Sequence, residues 1–283
     1  MAMLQGVDII DTCMSFPIDH GGDTFRTLIK DEEARAFRHP AEYMFKDPHL
    51  DIDEDEDPVA VVLAEMDKYG IAVGVTLDDE VSQRACHEYP DRFVGLCRVD
   101  PNDVMGSVNK IDAALDDPTV RGVYVFPAGC NPQVPINDKK LYPIYAKCVE
   151  KDVPFFANAG VPGPRIPMEC QRVDLIDEVM YDFPDLVFVT RHGCEPWEAL
   201  AVKLMLKWPN LYYSTSAFAP KHFPKAIIEY ANTRGADKII YAGHFPGFPL
   251  ERTFRELPDV PFRDHVWPKF LRGNAASVLK LEK

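Results

Sequence analysis

Eight short apolar segments, each followed by a stretch of helical periodicity, constrain the fold of this chain most strongly. The segments are rich in β-branched and aromatic residues, as expected of parallel strands that are covered on both faces. They comprise residues 7–12, 72–77, 93–99, 122–126, 153–157, 186–190, 211–215 and 238–242. Strand–helix alternation repeated eight times predicts an α/β protein of the (β/α)8 TIM-barrel class.

Helical patterns fill the gaps between these segments. The first, residues 58–69, begins with a proline and ends before Gly70, and both residues are typical at those helix positions. Similar patterns cover residues 141–151, 173–181, 197–207 and 225–232. The acidic run Asp78-Asp79-Glu80 after the second strand predicts the capped start of a further helix.

Residues 16–57 interrupt the alternation with a long segment of mixed charge and aromatic residues. Long insertions after a barrel strand commonly cover the active site. We therefore expect a single domain over residues 1–283 in which residues 16–57, called the lid segment below, lie over the mouth of the barrel.

Composition limits the partners of the chain. Its 283 residues, of which 46% are hydrophobic, suffice for one sizeable core. A formal net charge of −14 argues against binding to nucleic acid or to an anionic membrane. No apolar run approaches about 18 residues, and no signal peptide is recognisable. Seven scattered cysteines without a CxxC pair indicate reduced thiols, so a cytoplasmic protein is predicted.

Polar or reactive side chains stand just after four of the predicted strands: Cys13, Asn158, His192 and His244. The carboxyl ends of barrel strands meet at one mouth, so these residues should converge there. Because side chains alternate along a strand, each should face the barrel axis together with the residues two and four positions before it. The same alternation predicts that Arg191 faces the helices and forms a structural ion pair.

Several short motifs occur in a characteristic order along nearly the whole chain. They are Tyr-Pro-Asp-Arg-Phe-Val-Gly at 89–95, Val-Arg-Gly-Val at 120–123, Leu-Tyr-Pro-Ile-Tyr at 141–145, His-Gly at 192–193 and Gly-Asn-Ala-Ala at 273–276. In these motifs the chain resembles the amidohydrolase-related family typified by aminocarboxymuconate-semialdehyde decarboxylase. The resemblance implies a TIM barrel, hydrolysis or decarboxylation, a divalent metal, and commonly a homodimer.

The sequence departs from that family at its metal-ligand positions. The family's first strand ends Asp-x-His-x-His, whereas residues 11–15 read Asp-Thr-Cys-Met-Ser. Asn158 stands at a ligand histidine position, and His244 stands at the position of an aspartate. His192, which in relatives lies beside the metal-bound water, is unchanged. We therefore predict that no metal or other cofactor is bound; the alternative is zinc held by Cys13, His192 and His244.

A metal-free site assigns acid–base work to the two histidines. Imidazole titrates near neutral pH, so His192 and His244 are the predicted general acid and base. Asn158 and Ser15 are predicted to orient a substrate oxygen. Cys13 is either a nucleophile activated by a neighbouring histidine or a small thiol that fills the space of a lost histidine.

Further residues are candidates for substrate binding. Arg165, in the loop after the fifth strand, is either a carboxylate-binding residue or an exposed loop arginine. Phe245 and Phe248 provide an apolar wall for a ring-shaped ligand, or else pack the closing loops. An anionic substrate would require Arg165, or Arg26 or Arg38 of the lid segment, to offset the acidic net charge.

Together these features predict an amidohydrolase-like enzyme, a hydrolase or decarboxylase. Its substrate would be a small organic acid, a lactone or a ring-derived metabolite, handled by two histidines without the usual metal. Two alternatives stay open. One is an inactive relative that serves as the structural partner of an active barrel, which the loss of ligands favours, and the other is an enzyme with a rebuilt Cys/His zinc site.

Overall fold

Eight parallel strands follow one another in chain order around one sheet of the computed structural model, which describes residues 6–18, 24–37, 39, 41–44, 52–53 and 55–281. The strands are β1 Ile9–Asp11, β2 Ile71–Thr76, β3 Phe93–Arg98, β4 Val120–Val125, β5 Phe155–Asn158, β6 Phe188–Arg191, β7 Leu211–Ser214 and β8 Ile239–Ile240. Hydrogen bonds from Thr12 N to Tyr241 O (3.2 Å) and from Ser15 N to Phe245 O (2.9 Å) join the segments that follow β1 and β8. The predicted (β/α)8 barrel is confirmed.

Ten α-helices occur in the described part of the chain. They are α1 Glu32–Ala36, α2 Pro58–Tyr69, α3 Glu80–Glu88, α4 Val104–Ala114, α5 Tyr142–Lys151, α6 Leu175–Asp182, α7 Glu198–Lys207, α8 Lys225–Ala231, α9 Leu250–Glu256 and α10 Asn274–Leu279. Local signals set the ends of several helices. Gly70 ends α2 with a φ of 70°, and the Asp79 carboxylate accepts the Ser82 backbone N–H at 3.0 Å at the start of α3. None of the helices in these described ranges is long and apolar enough to cross a membrane.

The strands present two layers of apolar side chains. The outer layer, which includes Phe93 and Phe188, packs against the helices. The inner layer fills the barrel and includes Ile10, Val75, Leu96, Phe156, Val189 and Ile240. Helix α10 adds Leu279 to the inner layer, and the following Lys280 donates to the Asp152 carbonyl ahead of β5, so α10 closes the end opposite the mouth.

The side chains of β6 alternate regularly, but with the opposite parity to the one predicted from His192. Val189 belongs to the inner layer and Phe188 to the outer one, so Arg191 points toward the barrel mouth. The expectation that Arg191 faces the helices in a structural ion pair is therefore wrong. The prediction was wrong because it treated His192 as part of the strand. A φ of 65° at His192 ends the extended conformation there, so the consecutive residues Arg191 and His192 both reach the mouth. Likewise Ile10, not Ile9, faces inward on β1.

Several described residues of the lid segment, among them Phe16, Phe25 and Met44, line a cavity at the barrel mouth. Its 3₁₀-helix Thr24–Leu28 brings the Phe25 ring edge-on to Phe126, with ring centroids 5.7 Å apart. Arg26 donates to the Phe37 carbonyl at 2.7 Å, within the segment. Arg38 lies outside the described residues.

Candidate active site

A cavity of about 450 Å3 opens at the carboxyl ends of the strands. Its polar floor is formed by Cys13, Asn158, Arg191, His192 and His244. Its wall is largely aromatic and includes Phe16, Phe25, Phe126, Phe218 and Phe245, with His39, Ala41 and Met44 contributed by the lid segment. The structure thus brings the four predicted strand-end residues into one cavity, with Arg191 as an addition.

The sulfur of Cys13 lies between an imidazole and a guanidinium. Cys13 Sγ is 3.3 Å from His244 Nδ1 and accepts a hydrogen bond from Arg191 Nη2. The residue is only 4% exposed, so these contacts form where solvent screens charge weakly. A negative charge on the sulfur would be stabilised by the guanidinium directly.

Arg191 connects this sulfur to a second polar pair. Its guanidinium lies over the ring of Tyr124, 4.8 Å from the ring centroid, in a cation–π contact. The Tyr124 hydroxyl donates to Asn158 Oδ1 at 3.1 Å. Arg191 Nε is buried and has no hydrogen-bond partner among the described residues.

The rings of His192 and His244 are in edge-to-face contact on the cavity floor. The ring centroids of His192 and His244 are 5.0 Å apart, and the ring planes cross at 89°. Burial, aided by the Arg191 charge, lowers the pKa of His244 to about 4. Burial also lowers the pKa of His192 well below its usual value, with His244 and Arg191 adding to the effect. Both imidazoles are therefore neutral near pH 7.

Both histidines stand on left-handed backbone, with φ of 65° at His192 and 62° at His244. This region is costly for residues with a side chain, so the surrounding turns must hold it. The His192 backbone N–H donates to Ser216 Oγ at 3.0 Å. Asp11 Oδ1 accepts from the Gly243 and Cys13 backbone N–H groups at 2.8 and 3.0 Å, which ties the end of β1 to the turn that carries His244.

Asp11 holds that position as a buried carboxyl group. Burial raises the pKa of Asp11 to about 8, against the lowering effect of its two backbone hydrogen bonds. Sequence reasoning assigned no role to Asp11, Arg191 or Tyr124 in the site. Tyr124 could have been found from the alternation on β4, because Gly122 and Phe126 flank it at a spacing of two.

The predicted substrate-binding residues lie in different environments. Ser15 and Phe245 line the cavity, and the Ser15 hydroxyl donates to the Phe245 carbonyl at 3.4 Å. Phe248 packs against the His244 ring with centroids 6.3 Å apart and is not part of the cavity lining.

Arg165 also lies outside the cavity lining. Its Nη1 is 3.2 Å from Asp31 Oδ2, and its guanidinium lies over the Tyr43 ring at 4.9 Å. Tyr43 in turn donates from its hydroxyl to the Gly163 carbonyl at 2.7 Å. The structure therefore gives Arg165 a role in joining the loop after β5 to the lid segment.

The donors on the floor do not fit a divalent cation. A cation bound by Cys13 Sγ and His244 Nδ1 would lie against the Arg191 guanidinium, which already donates to that sulfur. Two positive charges in contact at a buried site repel each other strongly. Across the described ranges, no group of three or more histidine, cysteine, aspartate or glutamate side chains is arranged to hold a metal ion.

Solved structures share this architecture. An uncharacterised TIM-barrel protein from Bordetella bronchiseptica is 22% identical, with a TM-score of 0.76 over 96% of this chain and 98% of that chain. The 5-carboxyvanillate decarboxylase of Sphingomonas paucimobilis is 16% identical, with a TM-score of 0.68 over 98% and 100% of the two chains. The 5-carboxyvanillate decarboxylase of Novosphingobium aromaticivorans, complexed with manganese and a nitrobenzoic acid, is 18% identical, with a TM-score of 0.64 over 98% and 97%.

At these identities the structural likeness shows a shared fold. No curated protein matches the chain. A family model described as Amidohydrolase matches residues 10–281, which is nearly the whole chain. The resemblance drawn from the sequence motifs is thereby confirmed, and the chain belongs to the amidohydrolase family.

Proposed function

We propose that this protein is a hydrolase that acts on an ester or lactone of a small ring-bearing acid without a bound divalent metal. The observation that carries the proposal is the composition of the cavity floor. Two neutral imidazoles and one guanidinium meet there, and the guanidinium occupies the side of Cys13 that a cation would need.

Hydrolysis of an ester requires three catalytic functions from the protein. A base removes a proton from the attacking group, a donor stabilises the negative charge that develops on the carbonyl oxygen, and an acid protonates the leaving alkoxide. His192 and His244 are placed for the proton transfers. We assign the binding of the oxygen to the Arg191 guanidinium and the side chain of Asn158, because both residues line the cavity.

The cavity wall supports a planar substrate. A volume of about 450 Å3 suits a small molecule rather than a polymer. Its aromatic lining favours a ring, and the buried Arg191 charge favours a carbonyl or carboxylate oxygen at the floor.

Decarboxylation of an aromatic acid is the second candidate, because two of the structural neighbours described above are 5-carboxyvanillate decarboxylases. In that reaction the carbon–carbon bond breaks and the ring carbon must receive a proton. An imidazole whose pKa is lowered to about 4, as at His244, carries no second proton near neutral pH and so has none to give the ring carbon; in hydrolysis it first takes a proton from the attacking group and then passes that proton to the leaving group. The floor therefore favours hydrolysis.

The decisive experiment assays aryl esters, lactones and hydroxybenzoates with purified protein, before and after dialysis against EDTA. We expect ester or lactone hydrolysis that survives dialysis. His192→Asn and His244→Asn should each lower kcat by about 100-fold or more, because acid–base catalysis contributes on that order. Asparagine tolerates the left-handed backbone at both positions, so the fold should persist, as circular dichroism can verify. The exposed His265 provides the control: His265→Asn should keep full activity.

Other outcomes identify the alternatives. Release of carbon dioxide from a hydroxybenzoate would establish the decarboxylase. Activity that disappears on dialysis and returns with zinc or manganese would establish a metal enzyme. Absence of turnover, together with copurification of an active barrel protein, would establish the inactive partner. The homodimer stays a prediction that light scattering can test.

A further inference from the structure

We propose that Cys13 is the nucleophile of this hydrolysis, and that its sulfur forms a thioester with the acyl group of the substrate. The inference rests on the proposed hydrolase function and names the group that attacks. The ligand it requires is an ester or lactone whose carbonyl carbon reaches Cys13 Sγ at the cavity floor.

The contacts of the sulfur are those of an activated thiol. His244 Nδ1, at 3.3 Å, is placed to accept the thiol proton. Arg191 Nη2 donates to the same sulfur and stabilises the thiolate that forms. A thiolate is the reactive form of cysteine, and a neighbouring positive charge together with a base is the setting in which reactive cysteines occur. Cys13 also lines the cavity, so a substrate bound there lies beside this residue.

The six other cysteines lack this setting. Burial raises the pKa of each of them: Cys86, Cys97, Cys130, Cys148, Cys170 and Cys194. Cys130 is the informative comparison because it also lines the cavity. Its thiol donates to the Phe126 carbonyl at 3.4 Å, and burial raises its pKa to about 12. Both residues line the same cavity, but their contacts differ. We therefore expect a reactive thiol at Cys13 and an inert one at Cys130.

The reaction balances with water as the second reactant. The thiol proton passes to His244, the sulfur bonds to the carbonyl carbon, and the carbonyl electron pair moves to the oxygen that Arg191 binds. Collapse of this intermediate breaks the carbon–oxygen bond, and the leaving alkoxide takes the proton from His244. Water then adds to the thioester and gives a proton to His192 or His244. The carbon–sulfur bond breaks, the sulfur recovers a proton, and an acid and an alcohol are the products.

The test uses the full-length protein and two reagents, iodoacetamide and 4-nitrophenyl acetate, with the modified residue located by peptide mass spectrometry. We expect Cys13 to be alkylated first and to carry an acetyl group after brief exposure to the ester. Arg191→Met should slow alkylation of Cys13 by about tenfold or more, because the thiolate loses its stabilising charge. Arg191→Lys keeps the positive charge and should slow the alkylation of Cys13 less. The lysine variant thus keeps the charge effect testable if Arg191→Met fails to fold. Cys86→Ala, in α3 and outside the cavity lining, should leave both reactions unchanged.

The outcomes separate this inference from the proposed function. Loss of hydrolysis in Cys13→Ser with retained fold, together with the acetyl group on Cys13, supports both. Full hydrolysis in Cys13→Ser, when His244→Asn is inactive, overturns the inference and leaves the hydrolase in place. An acetyl group on Cys13 without turnover of any ester or lactone supports the nucleophile and overturns the hydrolase. Labelling of other cysteines ahead of Cys13, or equal rates in the wild type and in both Arg191 variants, overturns the inference.

Discussion

Replacement of His244 by asparagine should change the way in which the stability of the fold depends on pH. In the folded protein, burial and the Arg191 charge lower the pKa of His244 from 6.5 to about 4. Between those two pH values the unfolded chain binds a proton at this residue and the folded chain does not. Stability is therefore fully present above pH 6.5 and is lost as the pH falls toward 4.

The size of the effect follows from the two pKa values. Each pH unit within the window costs about 1.4 kcal/mol, so the wild type should lose about 2 kcal/mol of unfolding free energy at this residue between pH 7.5 and pH 5.0. His244→Asn removes the titrating group and should not show that loss. A constant offset between the two proteins, caused by altered packing, does not affect the comparison.

Urea denaturation at pH 7.5 and pH 5.0, followed by circular dichroism, measures the difference. The free-energy gap between His244→Asn and the wild type should shift by about 2 kcal/mol in favour of the variant at the lower pH. His265→Asn, at an exposed position, should leave the gap to the wild type equal at both pH values. Parallel pH profiles for the wild type and His244→Asn would refute the argument that burial at the cavity floor keeps this imidazole neutral.

Two further substitutions test the cavity floor, and a third tests the contact of Arg165 with the lid segment. Burial raises the pKa of Asp11 to about 8, so between pH 6 and pH 8 the folded chain holds a proton that the unfolded chain has released. The wild type should therefore lose about 2 kcal/mol of unfolding free energy as the pH rises across this range. Asp11→Asn should not show that loss in the same denaturation assay. Tyr124→Phe removes the hydrogen bond to Asn158 and should lower the free energy of unfolding by about 1 kcal/mol; an unchanged urea midpoint would contradict that contact. Arg165→Met removes an exposed ion pair and should cost less than about 1 kcal/mol without raising KM for an acidic substrate, whereas a residue that binds the substrate carboxylate would raise KM strongly.

The barrel was predictable because its signals are local and repeated. Residues 58–69 form α2 with the predicted start and end, since a proline and a glycine settle those ends without help from distant residues. The strand-end positions of Asn158 and His192 were likewise readable, because the topology of a parallel barrel brings all carboxyl strand ends to one mouth.

The chemistry of the floor was less accessible to sequence reasoning. Cys13 and Arg191 are in contact although 178 positions separate them in the sequence, and hydrophobic periodicity does not predict such a contact. Arg191 faces inward with Val189 by strand alternation, but sequence reasoning assigned that parity to His192, which reaches the mouth through left-handed backbone, a conformation that is rare for non-glycine residues and has no clear sequence signal. The sequence left Arg165 open between a carboxylate-binding residue and an exposed loop arginine, because its pairing with Asp31 of the lid segment cannot be read from either local sequence.

The left-handed turns at His192 and His244 set the engineering limits of this barrel. Glycine would relax the main chain at either position by about 1 kcal/mol, but would delete an imidazole from the cavity floor. Under the proposed mechanism, a version stabilised through these two turns would lose its acid–base catalysis. Substitutions that stabilise the protein and keep the cavity floor intact are better made in the outer helices, where they leave both turns unchanged.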